Sequence, residues 1–252
     1  MDINLFYLAP LFFLTALTYS MVGLGGGSTY LALLALFAVS YSSIPQIALL
    51  CNLVVVVGGY WFFWKAGHFS LRRVLPFIVT SIPMATWGGS IPIEKKVFML
   101  LLGLSLGVAA LRMLLSDKVF ESRFPLSWKR AWAVGIPVGA LLGFLSGLVG
   151  IGGGIYLAPV LLLLGWADSK QAAAAASFFI LVNSIAGFGG QLMKGGFMIS
   201  WGMVLPLLFA VFLGGQIGSR LGSQTIPKLA LQRVTAILIL AVVARLLIQA
   251  PH

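Results

Sequence analysis

Long apolar runs fill almost the whole chain, with only short polar stretches between them. Two sets of five runs lie at roughly residues 5–22, 28–40, 45–64, 72–91 and 96–115, then 131–149, 154–165, 170–192, 199–219 and 229–248. A helix that crosses a bilayer needs about 20 predominantly apolar residues. The pattern therefore predicts an all-α polytopic membrane protein.

The composition agrees with this prediction. Hydrophobic residues make up 60% of the chain and charged residues only 8%, whereas a soluble domain has roughly 25% charged residues. The net charge of +11 does not indicate nucleic-acid binding, because the basic residues form short clusters between apolar runs rather than a continuous stripe. Clusters of this kind are typical of the cytoplasmic loops of membrane proteins.

A basic linker at residues 116–130 divides the chain into an N-terminal repeat, residues 1–115, and a C-terminal repeat, residues 131–252. Residues 22–27 align with residues 149–154 at an offset of 127, and Gly67 aligns with Gly195 at an offset of 128. Trp87-Gly88-Gly89 and Leu213-Gly214-Gly215 continue the ordered series of matches. The series favours a gene duplication and two fused transmembrane repeats.

The number of membrane crossings in each repeat decides whether the repeats are parallel or inverted. The stretch 131–165 would be about 52 Å long as one helix, against a hydrocarbon core of about 30 Å. It therefore forms either a full helix plus a short one, or a re-entrant hairpin that turns at the glycines. Both alternatives leave an odd number of crossings, which predicts inverted repeats, and the distribution of Lys and Arg also favours inversion.

A glycine triplet interrupts each repeat at equivalent positions, Gly25, Gly26 and Gly27 in the first and Gly152, Gly153 and Gly154 in the second. Consecutive glycines weaken a helix, and a helix break at membrane depth is tolerated where it lines a cavity. The free amides of a helix that starts there favour an anion. The alternative is that the glycines only allow close helix packing.

The run from Leu142 to Leu161, with Gly150-Ile151-Gly152-Gly153-Gly154 at its centre, resembles the signature of the sulfite exporter TauE/SafE family of membrane permeases, and Met21 to Tyr30 resembles it more weakly. The similarity continues through Ala172–Ser177, Gly195, Pro206, Gly214-Gly215, Gly218 and Ile226-Pro227. The resemblance implies transport of small sulfur-containing anions, such as sulfite, sulfonates or sulfoacetate, across the bacterial cytoplasmic membrane. It does not fix the substrate.

Polar residues inside the apolar runs are further candidates for substrate contact, because such residues are costly in lipid. They are Ser28 and Tyr156, just after the glycines, and Asn52, Ser177, Asn183 and Gln191, in the third run of each repeat. Neutral amide and hydroxyl groups can donate hydrogen bonds to the oxygens of an anion. The alternative role is hydrogen bonding between helices.

All five acidic residues and both histidines lie at termini or in loops. The chain therefore predicts no proton relay at membrane depth, no metal site and no cofactor. An intramembrane protease at Ser146 would need a base within hydrogen-bond reach, so the chain is not expected to be an enzyme. The expected partners are a small anion and membrane lipid, and the sequence leaves a homodimer open.

We hypothesise an alternating-access permease with the anion held where the glycine breaks converge. Export along the membrane potential is the default direction, because a negative charge leaves a negative interior favourably. The alternatives are an anion channel-like pore and a permease that takes up a carboxylate or another small organic anion.

Overall fold

The computed structural model describes residues 2–37, 39, 43–91, 127–196 and 199–227, together with scattered residues between 229 and 244. The continuous ranges contain eight α-helices: α1 Asp2–Met21, α2 Gly27–Leu36, α3 Ile44–Lys65, α4 Leu71–Ser90, α5 Trp128–Val149, α6 Gly154–Leu163, α7 Ser169–Gly195 and α8 Trp201–Arg220. One π-helical turn, Leu221–Thr225, follows α8. The all-α prediction is confirmed. The fifth apolar run, most of the linker and most of the tenth run lie outside the described residues.

Helix length and composition separate two kinds of element. Among the described residues, four regions are long and apolar enough to cross a membrane: Ile44–Lys65, Trp128–Val149, Ser169–Met193 and Trp201–Thr225. By contrast, α2 and α6 each have 10 residues. At 1.5 Å per residue, each short helix extends about 15 Å, or half of the hydrocarbon core.

Glycines at every fourth position bring two pairs of helices into direct backbone contact. On α5, Gly139, Gly143 and Gly147 meet the carbonyl groups of Phe77, Ser81 and Ala85 on α4. On α8 and the π-helical turn, Gly214, Gly218 and Gly222 meet the carbonyl groups of Phe13, Leu17 and Met21 on α1. Small residues in this spacing allow two helix backbones to approach closely. Because the partners advance in the same order, α4 is parallel to α5, and α1 is parallel to α8.

The third helix of each half crosses the other at the centre of the molecule. Leu49 lies against Gly187, and Gly59 lies against Ser177, so α3 and α7 are antiparallel. Asn52 lies between these two contacts on α3. Gly59 also approaches Ser219 while Val55 approaches Gly215, an order that makes α3 parallel to α8.

Two apolar clusters form the core, and each combines both halves of the chain. One is built from α1, α2 and α3 with α8, and it includes Phe12, Tyr30 and Val211. The other is built mainly from α5, α6 and α7 with α4, and it includes Phe77 and Phe179. In each cluster, three helices of one half therefore pack with the fourth helix of the other half.

Candidate substrate site

The N-terminal glycine segment, residues 22–27, connects α1 to α2. The amides of Val22 and Leu24 donate to the Tyr19 carbonyl at 3.2 and 2.9 Å, which closes the end of α1. Gly23 and Gly26 have φ angles of 73° and 87°, in the left-handed region that favours glycine. The amides of Thr29 and Tyr30 both donate to the Gly26 carbonyl at 3.0 Å, which starts α2.

The C-terminal glycine segment, residues 149–154, connects α5 to α6 in a similar way. The Gly150 amide donates to the Ser146 carbonyl at 2.9 Å, and the Tyr156 amide donates to the Gly153 carbonyl at 3.1 Å. Gly150, Gly152 and Gly153 have φ angles of 79°, 85° and 76°. Side chains other than glycine adopt such angles at a cost, so both segments depend on their glycines.

Asn52 joins the two glycine segments. Its side chain is fully buried, and its Nδ2 donates to the Ile151 carbonyl at 3.0 Å. The same side chain packs against Gly25 and Gly27 of the other segment, where a Cβ atom would overlap it. Asn52 Oδ1 is buried and has no hydrogen-bond partner among the described residues.

A small cavity, with room for about one water molecule, lies where the segments meet. It is lined by Tyr19, Leu24, Gly25, Gly26, Gly27, Ser28, Ile151, Ile155 and Ile180. No charged side chain is among these lining residues, so the electrostatic features that could attract an anion are amide groups and the N-terminal end of α2. Tyr19 and the three isoleucines were not among the sequence candidates. Tyr19 ends the fifth turn of α1, and only the return of the chain through residues 22–27 places it beside α2.

The other sequence candidates lie around the segments but do not line the cavity. Ser177 Oγ donates to the carbonyls of Gly23 and Ala173, both at 3.0 Å, and so supports the N-terminal segment. Asn183 Nδ2 donates to the Phe179 carbonyl at 2.8 Å, within α7. Gln191 Nε2 donates to the Gly147 carbonyl at 3.3 Å, which links α7 to α5.

Tyr156 and the glycines of the C-terminal segment pack into the apolar core. Tyr156 is 2% exposed and belongs to the apolar cluster around α6. Gly154 packs against Ile180, and Gly153 packs against Phe179 and Ser146. The surroundings of the C-terminal glycine segment are therefore more densely packed than those of the N-terminal segment, which lines the cavity.

Two buried serines near the C-terminal segment were not proposed as binding residues from the sequence. Ser184 lies beside Gly152, and Ser146 lies beside Gly153. Both are fully buried, and their hydroxyl groups have no partner among the described residues. Among the residues that the structure describes, no three His, Cys, Asp or Glu side chains come close enough together to hold a metal ion.

Comparisons with known proteins agree with the sequence resemblance. The model of the family described as sulfite exporter TauE/SafE matches residues 8–246. The probable membrane transporter protein y4hK of Sinorhizobium fredii is 35% identical over 254 residues, which cover 95% of this chain and 97% of the relative. The probable membrane transporter protein YunE of Bacillus subtilis is 27% identical over 247 residues, 87% of this chain and 90% of the relative. No solved structure matches.

Proposed function

The chain belongs to the sulfite exporter TauE/SafE family, and we propose that it moves small sulfur-containing anions across the cytoplasmic membrane by alternating access. The family and the relatives identify it as a multi-pass membrane transporter and not an enzyme. The proposal adds the substrate class, the route and the direction. The observation that carries it is the meeting of two glycine segments at one buried asparagine, Asn52.

Inverted repeats are supported by the directions of the helices. The third helices, α3 and α7, run antiparallel. Both α1 and α3 are parallel to α8. Because α4 follows α3 after the short connection from Ala66 to Ser70, it runs in the opposite direction to α3. The helix α5 is parallel to α4 and is therefore antiparallel to α1. Each helix of the first half therefore runs opposite to its counterpart in the second. A two-fold axis perpendicular to the helices accounts for this relation, as in many transporters.

The same directions support a re-entrant path through the glycine segments. Because α1 and α3 point the same way, the chain must return between them, and α2 is the element that can bring it back. Its 10 residues extend only about half of the hydrocarbon core. By the inverted relation, α6 returns the chain in the second half, from the opposite side of the membrane. The glycine segments then lie near the middle of the bilayer, at the level of Asn52.

Anion binding follows from the ends of the short helices. The N-terminal amides and the dipole of α2 and α6 favour negative charge, and broken helices of transporters present such ends to anionic substrates. We propose that the substrate contacts Gly25, Gly26, Gly27, Ser28 and Asn52 from one half. Gly152, Gly153 and Gly154 provide the second wall, with Tyr156, Ser177, Asn183 and Gln191 as supporting polar residues around it.

Export as a single anion requires no protonatable group at membrane depth. Asp168 caps the start of α7 by accepting hydrogen bonds from the amides of Lys170 and Gln171. One negative charge that leaves a cell gains about 2.3 kcal/mol per 100 mV of membrane potential. The proposed mechanism is therefore uniport, with the two halves rocking about the fixed site.

Flux measurements in proteoliposomes test this proposal. Sulfite efflux should saturate with concentration and should increase when a voltage is imposed at clamped pH. A flux that ignores voltage and follows a proton gradient would exclude uniport, and a flux that does not saturate would indicate a channel. A binding screen with sulfite, sulfoacetate, taurine and carboxylate analogues tests the substrate class, and tight binding of the carboxylates alone would refute it.

A further inference from the structure

The orientation of the Asn52 side chain is fixed by its neighbour. The Ile151 carbonyl can only accept a hydrogen bond, so the amide group that faces it at 3.0 Å must be Nδ2. The acceptor atom, Oδ1, is thereby turned toward Gly25 and Gly27 of the other segment. An amide flip would bring two acceptor oxygens together and is excluded.

Asn52 Oδ1 is a buried acceptor without a donor among the described residues. Buried polar atoms are nearly always paired, and an unpaired one indicates a missing partner, which is a water molecule, an ion or a ligand. Gly25 and Gly27 line the cavity and have no side chains that would separate Oδ1 from it. Asn52 Oδ1 thus provides a hydrogen-bond acceptor at the edge of the cavity, whereas the N-terminal ends of the short helices provide donors.

Tyr19 adds a donor to the lining of the cavity. Its hydroxyl oxygen accepts a hydrogen bond from Thr29 Oγ1 at 3.0 Å, so its own hydrogen is directed away from Thr29. Ile151, Ile155 and Ile180 make the rest of the wall apolar. The cavity therefore combines donors, one acceptor and an apolar surface.

We propose that Asn52 Oδ1 accepts a hydrogen bond from the substrate itself, so that the site selects small sulfonates that carry their own donor, such as a hydroxyl group. This inference rests on the proposed function, which places the anionic oxygens at the amides of the glycine segments. A bare anionic oxygen cannot satisfy Oδ1, because both atoms are acceptors. A site built around a hydrogen bond discriminates strongly against an analogue that leaves its polar group unpaired.

A matched pair of ligands tests the proposal on the unmodified full-length protein. 2-Hydroxyethanesulfonate and 1-propanesulfonate have the same charge and the same number of non-hydrogen atoms, and differ by one hydroxyl group. Calorimetry on the purified protein should give about tenfold tighter binding for the hydroxyl compound. Equal affinities, or tighter binding of 1-propanesulfonate, would overturn the proposal.

A bound cation is the competing explanation for the unpaired oxygen. The measurement is therefore made with sodium as the only cation and again with N-methyl-D-glucamine. The preference for the hydroxyl compound should be the same in both buffers. Binding that requires sodium and does not distinguish the two sulfonates would mean that a cation meets Oδ1, and the proposal would fail.

Two variants locate the preference at Asn52. Asn52→Leu should abolish the preference, because it removes the acceptor. Tyr19→Phe should weaken the binding of both sulfonates and keep the preference, because it removes a donor and leaves Oδ1 in place. A preference that survives in Asn52→Leu would refute the role of this residue, and if that variant does not fold, the ligand pair on the wild type still decides.

The outcomes separate this inference from the proposed function. If both sulfonates bind equally well, the proposed function stands and the role of Oδ1 is refuted. If neither sulfonate nor sulfite binds, the proposed substrate class fails and the inference fails with it.

Discussion

Gly25 and Gly27 pack against Asn52, whereas Gly154, at the position equivalent to Gly27, packs against Ile180. Gly152, at the position equivalent to Gly25, contacts Ile180 but also lies near Asn52 Nδ2 and Ser184 Oγ. Ile180 occupies the position on α7 that Asn52 occupies on α3, at the offset of 128 that relates the third runs of the two repeats. The two segments thus have the same glycine pattern and equivalent neighbours of opposite polarity. The position on α7 that is equivalent to the Asn52 amide thus carries an alkyl group.

The outer ends of the segments repeat the contrast. Gly23 packs against the Ala173 backbone and receives a hydrogen bond from Ser177, while Gly150 packs against Pro45. The positive φ angles of Gly23 and Gly150 are nearly equal, at 73° and 79°. The backbone follows a similar path through both segments, while the side chains around it differ. Alternating access does not require the two halves to contact the substrate equally.

The largest effect is expected when the shared backbone feature is removed. Gly26 and Gly153 have positive φ angles, and a Cβ atom would lie 2.9 Å from Thr15 in one segment and 2.9 Å from Phe179 in the other. Replacement of either glycine by leucine should abolish sulfite flux in proteoliposomes, because both strain and overlap oppose the native path.

Gly189 provides the control for these substitutions. It lies in α7, with no atom within 4 Å of a Cβ at its position, so Gly189→Leu should insert into the membrane and transport normally. Full activity in both Gly26→Leu and Gly153→Leu would remove the glycine segments from the mechanism. Loss in only one of them would show that the halves do not act as equivalent elements.

Because equivalent helices of the two halves run in opposite directions, a cysteine in one connection should be accessible from outside the cell and a cysteine in the equivalent connection should not. Ser70 and Ser200 precede α4 and α8, and neither makes a side-chain cap hydrogen bond, so cysteine at either position should cost little stability. Cys51 is buried and should not react. In intact cells, a membrane-impermeant maleimide should label Ser200→Cys but not Ser70→Cys, because inverted repeats place these connections on opposite faces, and Lys65, Arg72 and Arg73 beside Ser70 favour the cytoplasmic face for that connection. Labelling of both variants from the same side would favour parallel repeats.

A smaller effect is expected from the side chains that distinguish the segments. Asn52→Leu leaves the Ile151 carbonyl without its donor, and an unpaired buried polar group costs about 1–3 kcal/mol. The free energy of unfolding should therefore fall by a similar amount. Ile180→Leu conserves volume and should cost less than about 1.5 kcal/mol. Thermal unfolding of the two variants in detergent measures the difference, and equal losses would mean that the hydrogen bond from Asn52 to Ile151 does not stabilise the glycine segments.

The apolar pattern predicted most of the helix boundaries because a membrane helix must satisfy its own backbone and present apolar side chains to lipid. The start of α2 at Gly27 and of α6 at Gly154 follows the glycines directly. The pairing of α1 with α8 could not be predicted in this way, since contacts between distant helices depend on the matching of their surfaces. The glycine spacing of four residues on α5 and α8 was the available signal for these interfaces.

The candidate site was predicted only in part. Asn52 was a candidate because a polar amide is costly in an apolar membrane segment. The same argument applied to Asn183 and Gln191, whose side chains donate hydrogen bonds to helix carbonyls. Sequence cannot separate the two uses of a polar side chain, because the choice depends on which backbone groups a neighbour leaves unpaired. Tyr19 gave no signal, since an aromatic residue in an apolar run is most often part of the core.

The smallest effect is expected at the interfaces that join the halves. Gly143 meets the Ser81 carbonyl and Gly218 meets the Leu17 carbonyl, each too closely to admit a Cβ atom. Alanine at either position forces two helix backbones apart, and overpacking of this kind costs about 1–3 kcal/mol. Gly202, also on α8, has no atom within 4 Å of a Cβ. Gly202→Ala should be neutral or stabilising by up to about 1 kcal/mol, because alanine favours a helix.

Thermal unfolding in detergent compares the three variants and tests whether the α4–α5 and α1–α8 interfaces contribute equally to stability. The α4–α5 and α1–α8 pairs exchange places under the proposed two-fold relation, so Gly143→Ala and Gly218→Ala should lower the melting temperature by similar amounts. A loss at Gly218 alone would mean that α1 is held in place by α8 while α5 can slide along α4. Only one glycine segment would then be fixed, and the rocking motion would have to occur at the other.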